Sequence, residues 1–266
     1  MKLKQTSVFD IDTLKANVIG IAANLGRHDS GIHQHQKAQL LYAPRGCITI
    51  TLNNIQCVLP PTKAIWIPAE TTHCAKVHNM VAFRSIYFDV KTYPQLPKTV
   101  KVFGVNSLLQ ALIERMAFWE STMEPKSQQA LVTLFMEELL TAPDEPLQLT
   151  LPTDPRLTQW LLQLRSRKIQ PEPLNRMAST ISASEKTISR IFTKQTGMPY
   201  QAWRQQWRLH SAIEELAEGM TVSHVASSQG FSSDSAFISF FKQQLGSTPG
   251  QFIKFDYPQH CKPECD

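Results

Sequence analysis

The feature that most constrains this chain is an internal repeat near its C-terminus. Ser184-Glu185-Lys186-Thr187-Ile188-Ser189-Arg190-Ile191-Phe192 is matched 49 residues later by Ser233-Asp234-Ser235-Ala236-Phe237-Ile238-Ser239-Phe240-Phe241, and the same offset relates Gln195 to Gln244 and Gly197 to Gly246. Each copy reads as a serine N-cap, a helix with large apolar residues four and eight places on, and a glycine C-cap. A shorter helical pattern precedes each copy: Leu174, Met177 and Ala178 parallel Val222, Val225 and Ala226 at an offset of 48. The alanine lets the two helices cross closely, and residues 180–183 and 228–231 read as tight turns. Short helix, tight turn and capped second helix make a helix-turn-helix plan. One copy is a weak signal, because helical hairpins are common. Two copies at a fixed offset are much harder to obtain by chance.

The rest of the chain has a different periodicity. Its 266 residues suggest two domains. Residues 18–90 read as short strands: 39–43 ends at Pro44-Arg45-Gly46, 47–52 ends at Asn53-Asn54, 64–67 runs into Pro68, and 81–90 follows. Val105, Leu108, Leu109, Leu112 and Met116 then form one helical stripe, and a second helix is expected over about 128–140. Pro143, Pro146 and Pro152 mark a linker, and the chain from Asp154 onward is helical in pattern, with one long helix over 200–218. Trp203, Trp207, His210, Ile213 and Leu216 are its candidate core positions.

A hydrophobic share of 42% excludes a disordered chain. Five cysteines, an odd number without CxxC spacing, argue against a disulfide scaffold and a zinc knuckle; Cys261 and Cys265 in the tail are read as reduced thiols. No apolar run approaches the roughly 18 residues of a membrane span, and acids at Asp10 and Asp12 oppose a secretory signal, so a cytoplasmic location and no membrane partner are expected.

The C-terminal hundred residues resemble the DNA-binding domain of the AraC/XylS family of bacterial transcription regulators. The resemblance is carried by Ser184, Arg190-Ile191-Phe192, Gly197, Trp203, Arg208-Leu209, Ala226-x-x-x-Gly230-Phe231-x-x-x-Ser235-x-Phe237-x-x-x-Phe241-Lys242-x-x-x-Gly246 and Thr248-Pro249. It implies two helix-turn-helix units whose recognition helices enter successive major-groove segments of double-stranded DNA, about 34 Å apart, at a promoter or operator. The positions that would face DNA are Lys186, Thr187, Ser189, Arg190 and Lys194 in the first unit, and Asp234, Ser235 and Ser239 in the second. Arg190 suits bidentate guanine readout, or else contact with a phosphate. Ser239 stands where many members carry arginine, and Ser233 and Asp234 either cap their helix or meet DNA. Charge has the same asymmetry: residues 156–210 carry ten Lys/Arg against two acids, and residues 211–266 three against seven. Phosphate neutralisation dominates affinity, so the first unit is expected to supply most of it.

In the N-terminal half, His33-x-His35-x-x-x-Gln39, Gly46 and Pro68-x-x-x-x-His73 resemble a cupin barrel. That resemblance implies a metal held by two histidines and a glutamate of one motif and a histidine of the other. Here Gln39 replaces the glutamate with a neutral, poorer ligand, so no metal cofactor is favoured, although His33, His35 and His73 remain the set for one. Regulator cupins of this family generally sense effectors. His33, His35, Gln39, Trp66 and His73 are therefore the candidate effector-binding residues, with purely structural histidines as the plain alternative, and a tryptophan such as Trp66 is more often simple core.

The expectation is a two-domain α+β protein: residues 1–142 a cupin-like β-barrel with trailing helices, 143–153 a linker, 154–258 an all-α domain with two helix-turn-helix motifs, and 259–266 a tail. It is expected to be an effector-controlled transcription regulator with no catalytic residues, and the family resemblance suggests an adjacent transporter gene as its target. Family resemblance adds a homodimer, and RNA polymerase as a partner if it activates. The competing reading is a constitutive DNA-binding regulator whose cupin domain is only a dimerisation scaffold.

Overall fold

The computed structural model describes residues 10–77, 80–120, 122–145 and 147–256. The described residues divide into two compact units, one of 10–52, 58–145 and 253–256 and the other of 53–57 and 147–252. Cys261 and Cys265 lie outside the described residues.

The first unit is built on antiparallel sheets. One contains β1 (Val18–Leu25), β3 (Ala38–Arg45), β6 (Lys63–Ile67), β8 (Val81–Phe88) and β9 (Lys101–Gly104), in the order β1-β8-β3-β6-β9. The other joins β2 (His28–Asp29), β4 (Ile48–Leu52) and β7 (His73–Val77), in the order β4-β7-β2, while β5 (Ile55–Leu59) and β10 (Gln148–Thr150) pair with each other. The α+β class and its sheet-rich N-terminal half are as expected. Among the described pairings, however, the barrel takes the form of two open sheets, each with its own edges.

Strand register decides which side chains share a face. In β3, Leu40 pairs with Trp66 and Ile86, whereas Gln39 pairs with Ile67 and Tyr87. Successive side chains point to opposite faces. Leu40, Tyr42, Trp66, Ile86 and Phe88 therefore join Leu109, Leu112 and Met116 of α1 (Ser107–Ala117) and Phe135 and Leu139 of α2 (Pro125–Thr141) in one core. Burying each of these large side chains is worth about 1.5–3 kcal/mol. The α1 stripe is thus spent mostly inside its own unit, leaving Leu108 exposed. Asn106 starts α1 by accepting from the Leu109 amide at 2.8 Å. Gly20 of β1 has a steric reason: a Cβ there would lie 1.9 Å from the Met116 carbonyl oxygen, so only glycine lets the strand approach the end of α1.

The second unit is helical: α3 (Thr158–Arg165), α4 (Leu174–Thr180), α5 (Glu185–Thr196), α6 (Tyr200–Ala217), α7 (Val222–Ser228), α8 (Asp234–Leu245) and residues 249–252 of α9 (Pro249–Asp256). The segment expected as a linker differs from that expectation, because β10 lies within it. Leu149 is wholly buried and Leu151 nearly so, and β10 pairs with residues 55–57. The alternation Leu147, Leu149, Leu151 is a strand pattern that the neighbouring prolines obscured.

His210 sits inside α6, nearly inaccessible, and its Nδ1 has no hydrogen-bond partner. Burial pushes its pKa down to about 4. In the unfolded chain the imidazole takes its proton near 6.5, so between those values the unfolded state binds more protons and stability is lost as pH falls. By pH 5.5 the loss relative to neutrality is about 1 kcal/mol from this residue alone. Urea unfolding at pH 7 and 5.5, followed by tryptophan fluorescence, should show that loss in the native sequence. The loss should be smaller by that amount in His210→Leu, where the buried His35 and His73 still contribute, and an equal loss in both proteins would reject the assignment.

Candidate functional site

The two helix-turn-helix units repeat each other down to the backbone. In the first, the Ala183 amide donates to the Ala178 carbonyl and the Ser182 amide to Ser179; in the second, Phe231 donates to Ala226 and Gly230 to Ser227. Each turn needs one left-handed residue, Ser182 (φ 52°) in one and Gly230 (φ 69°) in the other. Ser184 caps α5 by accepting from the Thr187 amide, and Ser233 caps α8 by accepting from Ala236, both at 3.2 Å. Gly197 and Gly246 end the helices, both at φ 76°.

α5 buries Ile188, Ile191, Phe192 and Thr196, which leaves its polar face outward. Lys186, Arg190 and Lys194 lie four residues apart and exposed on that face, with Ser189 half-buried beside them. The Thr187 hydroxyl is within 2.9 Å of the Ser184 hydroxyl, so this side chain belongs to the cap as well as to the candidate DNA-facing set. At the equivalent positions of α8 stand Ser235, Ser239 and Gln243, all exposed and uncharged. Asp234 accepts from the Ser223 hydroxyl of α7, which ties the two helices of that unit together.

The raw basic excess of residues 156–210 overstates the charge available to a phosphate backbone. Arg156 forks onto Asp154 through two 2.8 Å bonds, and Arg167 pairs with Glu218 at 2.8 Å and Glu214 at 3.2 Å. Arg204 donates to the Pro171 carbonyl. Arg208 is buried; it donates to the Gln229 carbonyl at 2.7 Å and lies 3.8 Å above the Phe231 ring. Desolvation lowers its pKa to about 10, which leaves it charged at neutral pH. It therefore fastens α6 to the turn of the second unit. The exposed cations left on the first unit are Arg165, Lys168, Arg176, Lys186, Arg190 and Lys194. Since Glu214 and Glu218 are spent on Arg167, the second unit is also less acidic than its sequence suggests.

A helix-turn-helix domain family model matches residues 177–254. Over 240 residues the chain is 31% identical to the HTH-type transcriptional regulator NimR of Escherichia coli K12, covering 88% of this chain and 87% of that protein. The chain belongs to the AraC/XylS family of transcription regulators. It is also 20% identical over 241 residues to the virulence regulon transcriptional activator VirF of Yersinia enterocolitica, covering 85% of this chain and 83% of that one. Among solved structures, ToxT from Vibrio cholerae O395 aligns with a TM-score of 0.37 and 11% identity, over 91% of this chain and 97% of that one. As an AraC/XylS member the chain is a DNA-binding transcription regulator, and the exposed face of α5 is its candidate nucleic-acid interface.

The second candidate site of this AraC/XylS protein lies in the sheet unit. Gln39, Ser85 and Tyr87 share the face of the first sheet that turns away from α1 and α2. His33 pairs with His73 in an isolated antiparallel bridge, which brings the histidines of the two motifs together. Their ring centroids are 4.3 Å apart, and His35 lies 5.1 Å from His73. The Gln39 amide donates to Ser85 Oγ at 2.8 Å and to the Tyr87 hydroxyl at 2.9 Å, while its Oε1 lies 3.2 Å from His35 Nε2. His35 and His73 are buried and His33 is exposed. Burial lowers the pKa of His35 and takes His73 down to about 4, so both rings are neutral at pH 7.

Trp66 does not join this group. It is wholly buried on the opposite face of the sheet, packed on Phe88, with its indole N–H donating to the Pro97 carbonyl at 2.8 Å. One residue of register separates it from Ile67, the partner of Gln39, and that parity sends it into the helix-packed core. Sequence reading missed Ser85 and Tyr87, although their alternation within 81–88 is the signal that places them opposite Gln39.

The residue set fits a metal. One ring nitrogen from each of His33, His35 and His73 lies within 4.8 Å of the others. A separate open groove of about 470 Å³, lined among others by Thr62, Lys63, Asn106, Leu109 and Glu138, lies elsewhere in the same unit. No helix among the described residues is long and apolar enough to cross a membrane.

Proposed function

We propose that this regulator is controlled by a small-molecule effector taken up by the sheet unit at His33, His35, Gln39 and His73. The supporting observation is a polar cluster of the buried side chains His35, Gln39, His73 and Ser85 with the half-buried Tyr87, beside the exposed His33. A purely structural sheet face has little reason to carry so many hydrogen-bonding groups, because each must be satisfied internally. The effector changes promoter or operator binding only so far as it prefers one of two states of the protein.

In this reading the chain works in the cytoplasm as a homodimer, contacts RNA polymerase if it activates, and performs no catalysis. Leu108 and Phe118 on and beside α1, with Leu140 at the end of α2, are exposed apolar residues suited to a dimer contact. An adjacent transporter gene is the proposed target. The competing view makes the sheet unit a dimerisation scaffold only.

Thermal-shift screening separates the two. A true effector present at 100 times its Kd stabilises the protein by about 2.7 kcal/mol. That shift should vanish in His73→Ala, and the same compound should change operator affinity in the native protein. A compound that shifts both proteins equally binds elsewhere, for instance in the groove beside Lys63. No effect of any stabilising compound on DNA binding would favour the scaffold view.

A further inference from the structure

We infer that Glu215 of α6 is a positioning residue for DNA recognition: together with Arg208 it clamps the second helix-turn-helix unit in one setting, and so decides which spacing of two operator segments the protein accepts. The inference concerns the helical unit alone and does not depend on the effector reading. It starts from a departure within the internal repeat. The residue before the left-handed turn position is Ile181 in the first unit, packed against the aromatic core, and Gln229 in the second. Gln229 is only 2% exposed, and a buried amide costs free energy unless it is hydrogen-bonded. Its bonds run to α6. The side-chain amide donates to Glu215 Oε1 at 2.7 Å, and the neighbouring Ser228 hydroxyl donates to Glu215 Oε2 at 2.5 Å. The Gln229 carbonyl in turn accepts from Arg208 Nε at 2.7 Å.

One residue of the turn is thus held twice, by its main chain at Arg208 and by its side chain at Glu215. The two anchors stand about two turns, or about 10 Å, apart along α6. Apolar packing is non-directional, whereas hydrogen bonds to charged groups have a defined direction, so two of them fix a rotation as well as a position. What they hold moves as one piece. The Phe231 ring beneath Arg208 lies 5.4 Å from Phe237 and 5.1 Å from Phe240 of α8, and Ser223 of α7 donates to Asp234 of α8. Any rotation of the turn on α6 therefore carries the second recognition helix with it. The exposed Ser235, Ser239 and Gln243 of that helix bear no charge, so this face relies on fit rather than on attraction to phosphates. A weakly binding surface adds affinity only when it is delivered in place, because freedom it keeps is lost on binding. One extra base pair between the two operator segments turns the second by about 34° and shifts it by about 3.4 Å, a change that a clamped unit cannot follow.

The test measures binding of the full-length protein, by fluorescence anisotropy at fixed salt, to a mapped operator and to copies with one base pair added or removed between its two segments. The native protein should lose about tenfold in affinity on each altered copy. Glu215→Ala should bind all three within about threefold of one another, mainly by losing affinity for the native spacing. Glu215→Gln keeps the shape and one acceptor oxygen, and should restore part of the discrimination. Ser228→Ala removes one of the two bonds to the carboxylate; it should give an intermediate profile, and it decides the matter where Glu215→Ala does not fold. A merely structural role would weaken binding to all three operators alike. An unchanged ratio in the folded variant would therefore overturn the inference, as would a native protein indifferent to the spacing.

Discussion

Replacing Trp203 with alanine should destabilise the helical unit by about 3–5 kcal/mol, the range for truncating a large buried aromatic. Trp203 is wholly buried and is the hub of an aromatic cluster: Phe192 lies 5.0 Å from it, Trp207 5.3 Å, Trp160 5.7 Å and Tyr200 6.4 Å, centroid to centroid. Its indole N–H donates to the Thr150 carbonyl of β10 at 2.8 Å. Alanine would therefore open a cavity and leave that carbonyl without its donor. Phe192 is the last apolar anchor of the first recognition helix, so the loss should also remove DNA binding. Urea denaturation gives the free energy, and Trp203→Phe separates packing from hydrogen bonding: it should cost only about 1–2 kcal/mol, mostly for the unsatisfied carbonyl. A Trp203→Ala protein within 1 kcal/mol of the native one would show that the cluster is not what holds α5 in place.

The second large effect concerns DNA affinity. Arg190→Ala should weaken operator binding by about 1–3 kcal/mol, or roughly 5- to 150-fold, while Ser239→Ala at the equivalent place changes it less than about threefold. Arg190 is the middle member of the exposed Lys186, Arg190, Lys194 stripe, whereas Ser239 lies between Ser235 and Gln243. Fluorescence anisotropy on a mapped operator at fixed salt measures both. Arg190→Lys then tells base from backbone: it keeps the charge but cannot form the guanidinium fork. If Arg190 reads guanine, lysine should restore little; if it meets phosphate, lysine should restore most of the affinity and of the salt slope. Equal losses from Arg190→Ala and Ser239→Ala would refute the asymmetry between the units.

Much of this molecule was legible from residue order, but unevenly. The helix-turn-helix pair was readable because its signals are local. A serine cap, an apolar residue every fourth place and a glycine terminator each act within one turn of helix, and the 49-residue offset reproduces them. What could not be read locally was which charges remain free. Arg156, Arg167, Arg204 and Arg208 count toward a basic domain by composition, and each is committed inside the unit, two of them to acids and two to backbone carbonyls. Burial and partners set the value of a charge, and its position in the chain carries neither.

The sheet unit shows the same division. The spacing of His33, His35 and Gln39 already places them on one side of a strand, and the pattern around His73 brings in the fourth member. Of the two readings of Trp66 the core one holds, because a strand sends neighbouring residues to opposite faces, and a single step of register, fixed by pairing with Leu40, carries it into the helix-packed core. Ser85 and Tyr87 entered the site for the converse reason. β10 was lost among prolines, although a strand needs only three residues when Leu149 can be buried.

The sequence by itself determined the family, the two helix-turn-helix units and the histidine motif, because caps, turns and periodicity are encoded within a few residues. The tertiary structure alone decided which cations of the helical unit stay exposed, which face of the sheet each strand residue joins, and that Ser85 and Tyr87 meet Gln39. Those depend on partners dozens of residues away, and only folding sets the distances and the desolvation that give them their energy.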